Sequence, residues 1–266
     1  MRESRFIALH HGRTFVEFDG AENGPVMVML HGLGGSSSFF QPLVDEFSST
    51  HKIIRIDWAG LGRTRLTKIN GKITIPGYVK DLEKLFEAVQ VSTPVVLIGH
   101  SLGSVVAMHY AAKHPTKVGG LVLIGPGRSR AQIPAAKAFT LQMAKNAREL
   151  GMANMADGTV AKNVAPSSSS VVRAFVREVI AAQDGEGYAQ VCEAACDDTH
   201  VDPQYGDITA KTVVIAGDQD LIAPEEQCRG IQGLIGDNAA FKLVHAGHQQ
   251  VLEDSKSTIA GIKMVL

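Results

Sequence analysis

The chain has 266 residues, 45% of them hydrophobic and 20% charged, the profile of a folded globular protein with a sizeable core, which excludes a disordered chain. Lysine and arginine total 26 against 27 acidic residues, so no cationic surplus points to nucleic acid or to a membrane surface. Three cysteines cannot form a fully paired disulfide framework, no apolar run approaches the roughly 20 residues of a membrane helix, and no secretory signal pattern opens the chain; the expectation is a cytoplasmic protein.

From the N-terminus, residues 6–9 and 14–18 flank His11-Gly12-Arg13 and predict an antiparallel hairpin at a sheet edge. Short runs rich in β-branched residues follow at Val26–Leu30, 52–57, 95–98, Val118–Ile124 and 212–216, each running into a glycine-containing turn. Nearly all-apolar runs of this length suit strands covered on both faces, as in a parallel sheet. Between them lie helical periods. Residues 76–90 place Val79, Leu82, Leu85, Phe86 and Val89 on one stripe. Residues 102–114 are rich in alanine and valine and stop at Pro115. Later helices are predicted at 224–235 and 255–265, around a last strand at 241–245. Strands alternating with helices predict an α/β fold with right-handed crossovers.

Residues 128–205 break this rhythm. They carry helical patterns at 132–150, 170–182 and 187–196 and no strand, and read as a helical lid between core segments 1–127 and 206–266. The serines at 167–170 read as a capping turn within it.

The strongest chemical signal is Gly99-His100-Ser101-Leu102-Gly103. A G-x-S-x-G sequence matters when a strand enters it and a helix leaves it, because that tight turn lifts the serine oxygen above the sheet at a helix N-terminus. Both flanks are present here, so Ser101 is the candidate nucleophile. A serine hydroxyl needs a base. Of 10 histidines, His248, in a loop just past the last strand, suits an architecture whose chain order is Ser, acid, His. His245 falls inside the predicted strand, and His109 and His114 on or after the helix following Ser101. The acid should follow the strand at 212–216, where Gly217-Asp218-Gln219-Asp220 offers two carboxylates. Asp220, further into the loop, is favoured over Asp218. Two backbone N–H groups should face a tetrahedral oxyanion: that of Leu102, and that of Leu33 in the segment His31-Gly32-Leu33-Gly34.

No His/Cys/Glu cluster has metal-ligand spacing, and Cys192 and Cys196, one helical turn apart, read as packing residues in the lid. No phosphate-binding or dinucleotide fingerprint occurs. The expectation is therefore neither metal nor cofactor.

These motifs, in this order and spacing, resemble the α/β-hydrolase superfamily over essentially the whole chain. Within it, Ala147-Arg148-Glu149-Leu150-Gly151-Met152, Asp184-Gly185-Glu186-Gly187-Tyr188-Ala189 and Cys192-Glu193-Ala194 are similar to the lids of 3-oxoadipate enol-lactonases and related lactonases. The resemblance implies a mostly parallel eight-stranded sheet flanked by helices, with a helical lid inserted after the sixth strand. It also implies catalytic roles for Ser101, Asp220 and His248, with Leu33 and Leu102 at the oxyanion hole. The expected reaction is cofactor-free hydrolysis of a small lactone or carboxylic ester through an acyl-enzyme. Phe139 and Met143 of the lid are candidate substrate contacts, and Arg128 is preferred over Arg130 and Arg173 as partner for a substrate carboxylate. The chain departs from those lactonases in two places. Its single tryptophan, Trp58, lies outside the lid, and the turn into the lid reads Pro126-Gly127-Arg128-Ser129-Arg130. A C–C bond hydrolase, an amidase, an acyltransferase and a slow-turnover ligand receptor are the competing readings on the same fold. The expected partner is a small molecule, with neither nucleic acid nor membrane involved; the oligomeric state is not legible.

Overall fold

In the computed structural model, which describes residues 2–66 and 71–266, β1 (Glu3–Leu9) turns through Gly12 into β2 (Gly12–Gly20) as an antiparallel hairpin. β2 pairs antiparallel with β4 (Lys52–Ile56). From there the sheet is parallel, through β3 (Val26–Leu30), β5 (Val95–His100), β6 (Val118–Ile124), β7 (Lys211–Gly217) and β8 (Ala239–Val244). The strand order is β1-β2-β4-β3-β5-β6-β7-β8. Because β4 lies on one side of β3 and β5 on the other, the winding reverses at β3, and the C-terminal ends of β3 and β5 open a crevice there.

The parallel strands alternate between two cores, as strands covered on both faces must. Val28 and Leu30 of β3 pack with Leu82 of α2 (Ile75–Ala88) and Val106 of α3 (Leu102–Lys113). Met27 and Met29 pack instead with Leu43 of α1 (Gln41–Phe47) and Ile262 near the chain end. The last strand begins two residues earlier and ends one residue earlier than the apolar run suggested, so His245 falls just beyond it.

Between β6 and β7 stand four helices, α4 (Pro134–Leu150), α5 (Met152–Asn163), α6 (Ser170–Ala181) and α7 (Gly185–Ala195). The sequence predicted three of them. α5 escaped because MANMADGTVAKN carries little apolar periodicity, and it follows α4 after a single residue, Gly151, at φ +78°. Side-chain caps start the other two: Ser169 Oγ accepts from the Val172 N–H at 3.2 Å, and Asp184 Oδ1 from the Gly187 N–H at 2.8 Å. Gln183, in the α6–α7 corner, fastens this insertion to the sheet domain. Its Oε1 accepts from the Gly62 N–H at 2.9 Å and its Nε2 donates to the Gly35 carbonyl at 3.3 Å. After β7 the chain forms α8 (Glu225–Ile235), and after β8 come α9 (Gln250–Glu253) and α10 (Ser255–Ile262). Among the described residues no helix is long and apolar enough to cross a membrane.

Candidate active site

β5 delivers the chain into Ser101 at φ +53°, ψ −115°, a backbone conformation that costs a residue with a Cβ about 1–3 kcal/mol and persists only where the surroundings enforce it. The enforcement is visible. The Ser101 N–H donates to the Ile124 carbonyl of β6 at 2.9 Å, and the Ser101 carbonyl accepts from the Ser104 N–H at 3.0 Å as α3 begins. Ser104 Oγ donates to the Gly99 carbonyl at 2.6 Å. The flanking glycines are required by contact: a Cβ on Gly99 would lie 2.5 Å from the Ser104 nitrogen, and one on Gly103 2.0 Å from the Leu30 carbonyl oxygen. The turn thus places Ser101 at the N-terminus of α3, against the end of β3.

The segment after β3 closes over the serine, so that a Cβ on Gly32 would sit 2.8 Å from that of Ser101. Its shape is set by His31, which is fully buried. His31 Nδ1–H donates to the Gly32 carbonyl at 2.8 Å, and its Nε2 accepts from the Trp58 N–H at 3.1 Å. Trp58 Nε1–H returns a bond to the His31 carbonyl at 3.0 Å. Burial lowers the His31 pKa, so the ring is a neutral brace with one donor and one acceptor, both used. Leu33, the next residue but one, lines the cavity above Ser101, and Leu102 is the first residue of α3.

Of the two carboxylates after β7, only Asp220 reaches His248. Asp220 Oδ2 accepts from His248 Nδ1 at 2.7 Å and from Gln250 Nε2 at 3.0 Å. Its Oδ1 accepts from the N–H groups of Ile222 and Ala223, both at 2.8 Å. Burial favours the protonated acid, yet the facing His248 and the hydrogen bonds from His248, Ala223 and Ile222 outweigh it and hold Asp220 below its ordinary pKa. An imidazole that donates from Nδ1 presents Nε2 as the proton acceptor. Asp218 instead pairs with the exposed His245 at 2.7 Å and accepts from the Ala246 N–H at 3.1 Å.

The backbone of His248 is gripped from two sides. Its N–H donates to the Asn163 carbonyl at the end of α5, at 2.7 Å, and its carbonyl accepts from His100 Nε2, also at 2.7 Å. Burial, and then the neighbouring His248, push the His100 pKa down to about 3; the ring is neutral and spends its proton on that carbonyl. Neither Gln250 nor Asn163 was anticipated, and no spacing rule marks them. His100 stood in the G-x-S-x-G pentapeptide at a position that the pattern leaves free.

Ser101 and His248 open onto two adjoining chambers, of about 340 Å³ and 470 Å³. Leu33, Phe139 and Met143 line the first. Arg128 lines the second, but its guanidinium is taken by Asp202, with Nε at 2.8 Å and Nη2 at 2.5 Å from Oδ2. It is therefore not a free partner for a carboxylate. Arg173 is occupied as well, donating to the carbonyls of Ala165, Pro166 and Ser168. Among the described residues no group of three or more His, Cys, Asp or Glu side chains is placed to hold a metal ion.

A serine on a strained strand-to-helix turn, at the C-terminal end of a mostly parallel eight-stranded sheet, defines an α/β-hydrolase architecture. The chain belongs to the alpha/beta hydrolase fold family, whose model matches residues 25–255. The enol-lactonase from Burkholderia xenovorans LB400 superposes with a TM-score of 0.86 at 25% identity, over 98% of this chain and 99% of that one. The pyrrolizixenacetamide deacetylase of Xenorhabdus hominickii is 26% identical over 254 residues, 91% of each chain. A 1-acylglycerol-3-phosphate O-acyltransferase of Arabidopsis thaliana is 35% identical over 136 residues, which are 50% of this chain but only 31% of that protein.

Proposed function

We propose that the protein is a cofactor-free serine hydrolase that cleaves a carboxylic ester or lactone, with Ser101 as nucleophile, His248 as general base and Asp220 as the acid that orients it. The observation carrying this reading is that the strained Ser101 and His248, which is hydrogen-bonded to the buried Asp220, open on the same chambers. His248 Nε2 takes the Ser101 hydroxyl proton as Oγ bonds to the substrate carbonyl carbon. The N–H groups of Leu33 and Leu102 face the resulting oxyanion. The C–O bond then breaks, and His248 returns the proton to the leaving oxygen. Water, activated by the same imidazole, releases the acid and restores Ser101. Asp220 keeps its charge throughout and stabilises the imidazolium. Residues 128–205 act as a lid that limits water around the acyl-enzyme.

The test is acid release from a panel of esters and lactones by wild type and Ser101→Ala, together with labelling by a fluorophosphonate. Turnover and labelling that are both lost in Ser101→Ala are expected. Undiminished turnover in Ser101→Ala would falsify the mechanism.

A further inference from the structure

We infer that the substrate is an acyclic ester joining an apolar acyl chain to an anionic leaving group, and that Arg130 selects for that anion; the inference rests on the hydrolase reading above. A lactone holds its acyl and alcohol halves in one ring and needs one chamber. Here two chambers meet at Ser101 and His248, which suits a substrate whose halves part. The first chamber includes Gly32 and Leu33 of the oxyanion segment and continues past Phe39, Met143, Leu150 and Met155, an apolar bed for an acyl chain. The second lacks that segment and is bounded by Gly125, Gly127 and Ala223, with His248 bordering both chambers. A leaving oxygen must depart beside the imidazole that protonates it; with the acyl chain in the first chamber, the alcohol half takes the second, which His248 also borders.

The cations border both chambers, and with an apolar chain in the first, the anion falls to the half in the second. Among the described residues neither chamber is lined by an aspartate or glutamate, whereas Arg130 and Lys162 line both. Elsewhere in the insertion, Arg128 is paired with Asp202, Arg148 with Glu186 and Glu193, and Arg177 with Asp157. Among the described residues, half-buried Arg130 has only a hydroxyl as partner, Thr140 Oγ1, 2.5 Å from Nη1, and no carboxylate within 4.0 Å. Lys162 likewise has no described carboxylate within 4.0 Å and sits with Nζ 5.0 Å above the Phe139 ring. A part-buried guanidinium with open donors is completed by a carboxylate or phosphate through charge-assisted hydrogen bonds. Chemically, the Ser101 Oγ–acyl bond forms first and the ester C–O bond then breaks. The serine proton passes through His248 to the leaving oxygen, and the alcohol departs with its anionic group untouched.

The experiment compares kcat/KM for 4-acyloxybenzoates, their neutral methyl esters and 4-acyloxyphenyl phosphates, with acetyl, butyryl and octanoyl chains, alongside simple lactones. The expected result is a preference for an anionic ester over its neutral counterpart of roughly tenfold or more, the scale of one charge-assisted hydrogen bond. Butyryl or octanoyl esters should exceed acetyl. Arg130→Met should bring the anionic-to-neutral ratio near one, Arg130→Lys should retain most of it, and Arg177→Met, on the outer face of the insertion, should leave the ratio as it was. The carboxylate and phosphate arms tell which anion is preferred. A ratio near one in the wild type, a ratio untouched by Arg130→Met, or a lactone turned over faster than every ester overturns the inference and leaves the hydrolase reading standing. No turnover of any ester, with Ser101 still labelled by a fluorophosphonate, overturns the ester assignment alone. No turnover and no labelling overturn both.

Discussion

At the scale of single residues, the candidate site is decided by what surrounds Asp220. Its two oxygens take two backbone N–H groups, one imidazole and one amide. Asp218, two residues away, spends its carboxylate on an exposed histidine. Asp220→Asn is therefore expected to lower kcat by about 10³–10⁴-fold, the cost of losing the correct imidazole tautomer, while Asp218→Asn changes it less than about twofold; steady-state assays on one ester separate the two. Gln250 has a subtler task. Removing its amide in Gln250→Leu strips a donor from Asp220 Oδ2 and makes that oxygen more basic, which strengthens its hold on imidazolium. The imidazole is then less free to pass its proton on, so kcat should fall with KM little changed, as steady-state assays on one ester would show. Ser101 and His248 were legible because a motif and a chain order mark them. Gln250 was not, since its role arises only where α9 approaches Asp220 in space.

At the scale of elements, the strand–turn–helix unit works because glycine lets backbone meet backbone. With a Cβ on Gly103 only 2.0 Å from the Leu30 carbonyl oxygen, Gly103→Ala must push α3 away from β3. A loss of about 1–3 kcal/mol in stability is expected, with activity falling in parallel, as urea denaturation and ester turnover would show. Gly32→Ala tests a different contact. Its Cβ would press on that of Ser101 at 2.8 Å, so kcat should fall more than stability does. The parallel strands were readable from short apolar runs, and α2 from its stripe, because burial on one or two faces writes a period into the sequence. α5 left no such period. Its Met152, Ala156 and Val160 are buried at one-turn spacing, but Asn, Asp, Gly and Thr crowd the rest, and small residues blur the stripe.

At the scale of the whole molecule, stability should be sensitive to mild acid. Burial keeps four histidines neutral: His100 is pushed down to about 3 and His109 to about 4, with His31 and His200 also lowered. All four would protonate near their ordinary pKa of about 6.5 once unfolded. Between those values the unfolded chain binds more protons than the native one, so stability is full above the unfolded pKa and is lost as pH falls below it. The limit is about 1.4 kcal/mol per pH unit for each group. Urea midpoints should drop between about pH 7.5 and pH 5, and His109→Gln should flatten that slope; a midpoint indifferent to pH across this range would contradict the account. The layered α/β arrangement was legible from the alternation of strands and helices. The order of strands was not, because pairing is settled by contacts between distant segments.

The hydrogen bond from the His248 N–H to the Asn163 carbonyl has a further consequence, for modularity. The insertion supplies the seat of the histidine loop: Gly247 fits there only without a Cβ, which would lie 2.6 Å from the Ala165 nitrogen, and Glu253 fastens Ala165 and Ser168 from the sheet side. The helices between β6 and β7 are thus not an interchangeable cap that could be exchanged to reprogram specificity while the chemistry below continues unaltered. A graft from another scaffold would bring a new pocket yet remove the carbonyl on which the imidazole's backbone rests. Recombination is confined instead to the face of α4 and to the first turns of α5, where side chains border the chambers and no backbone supports the histidine.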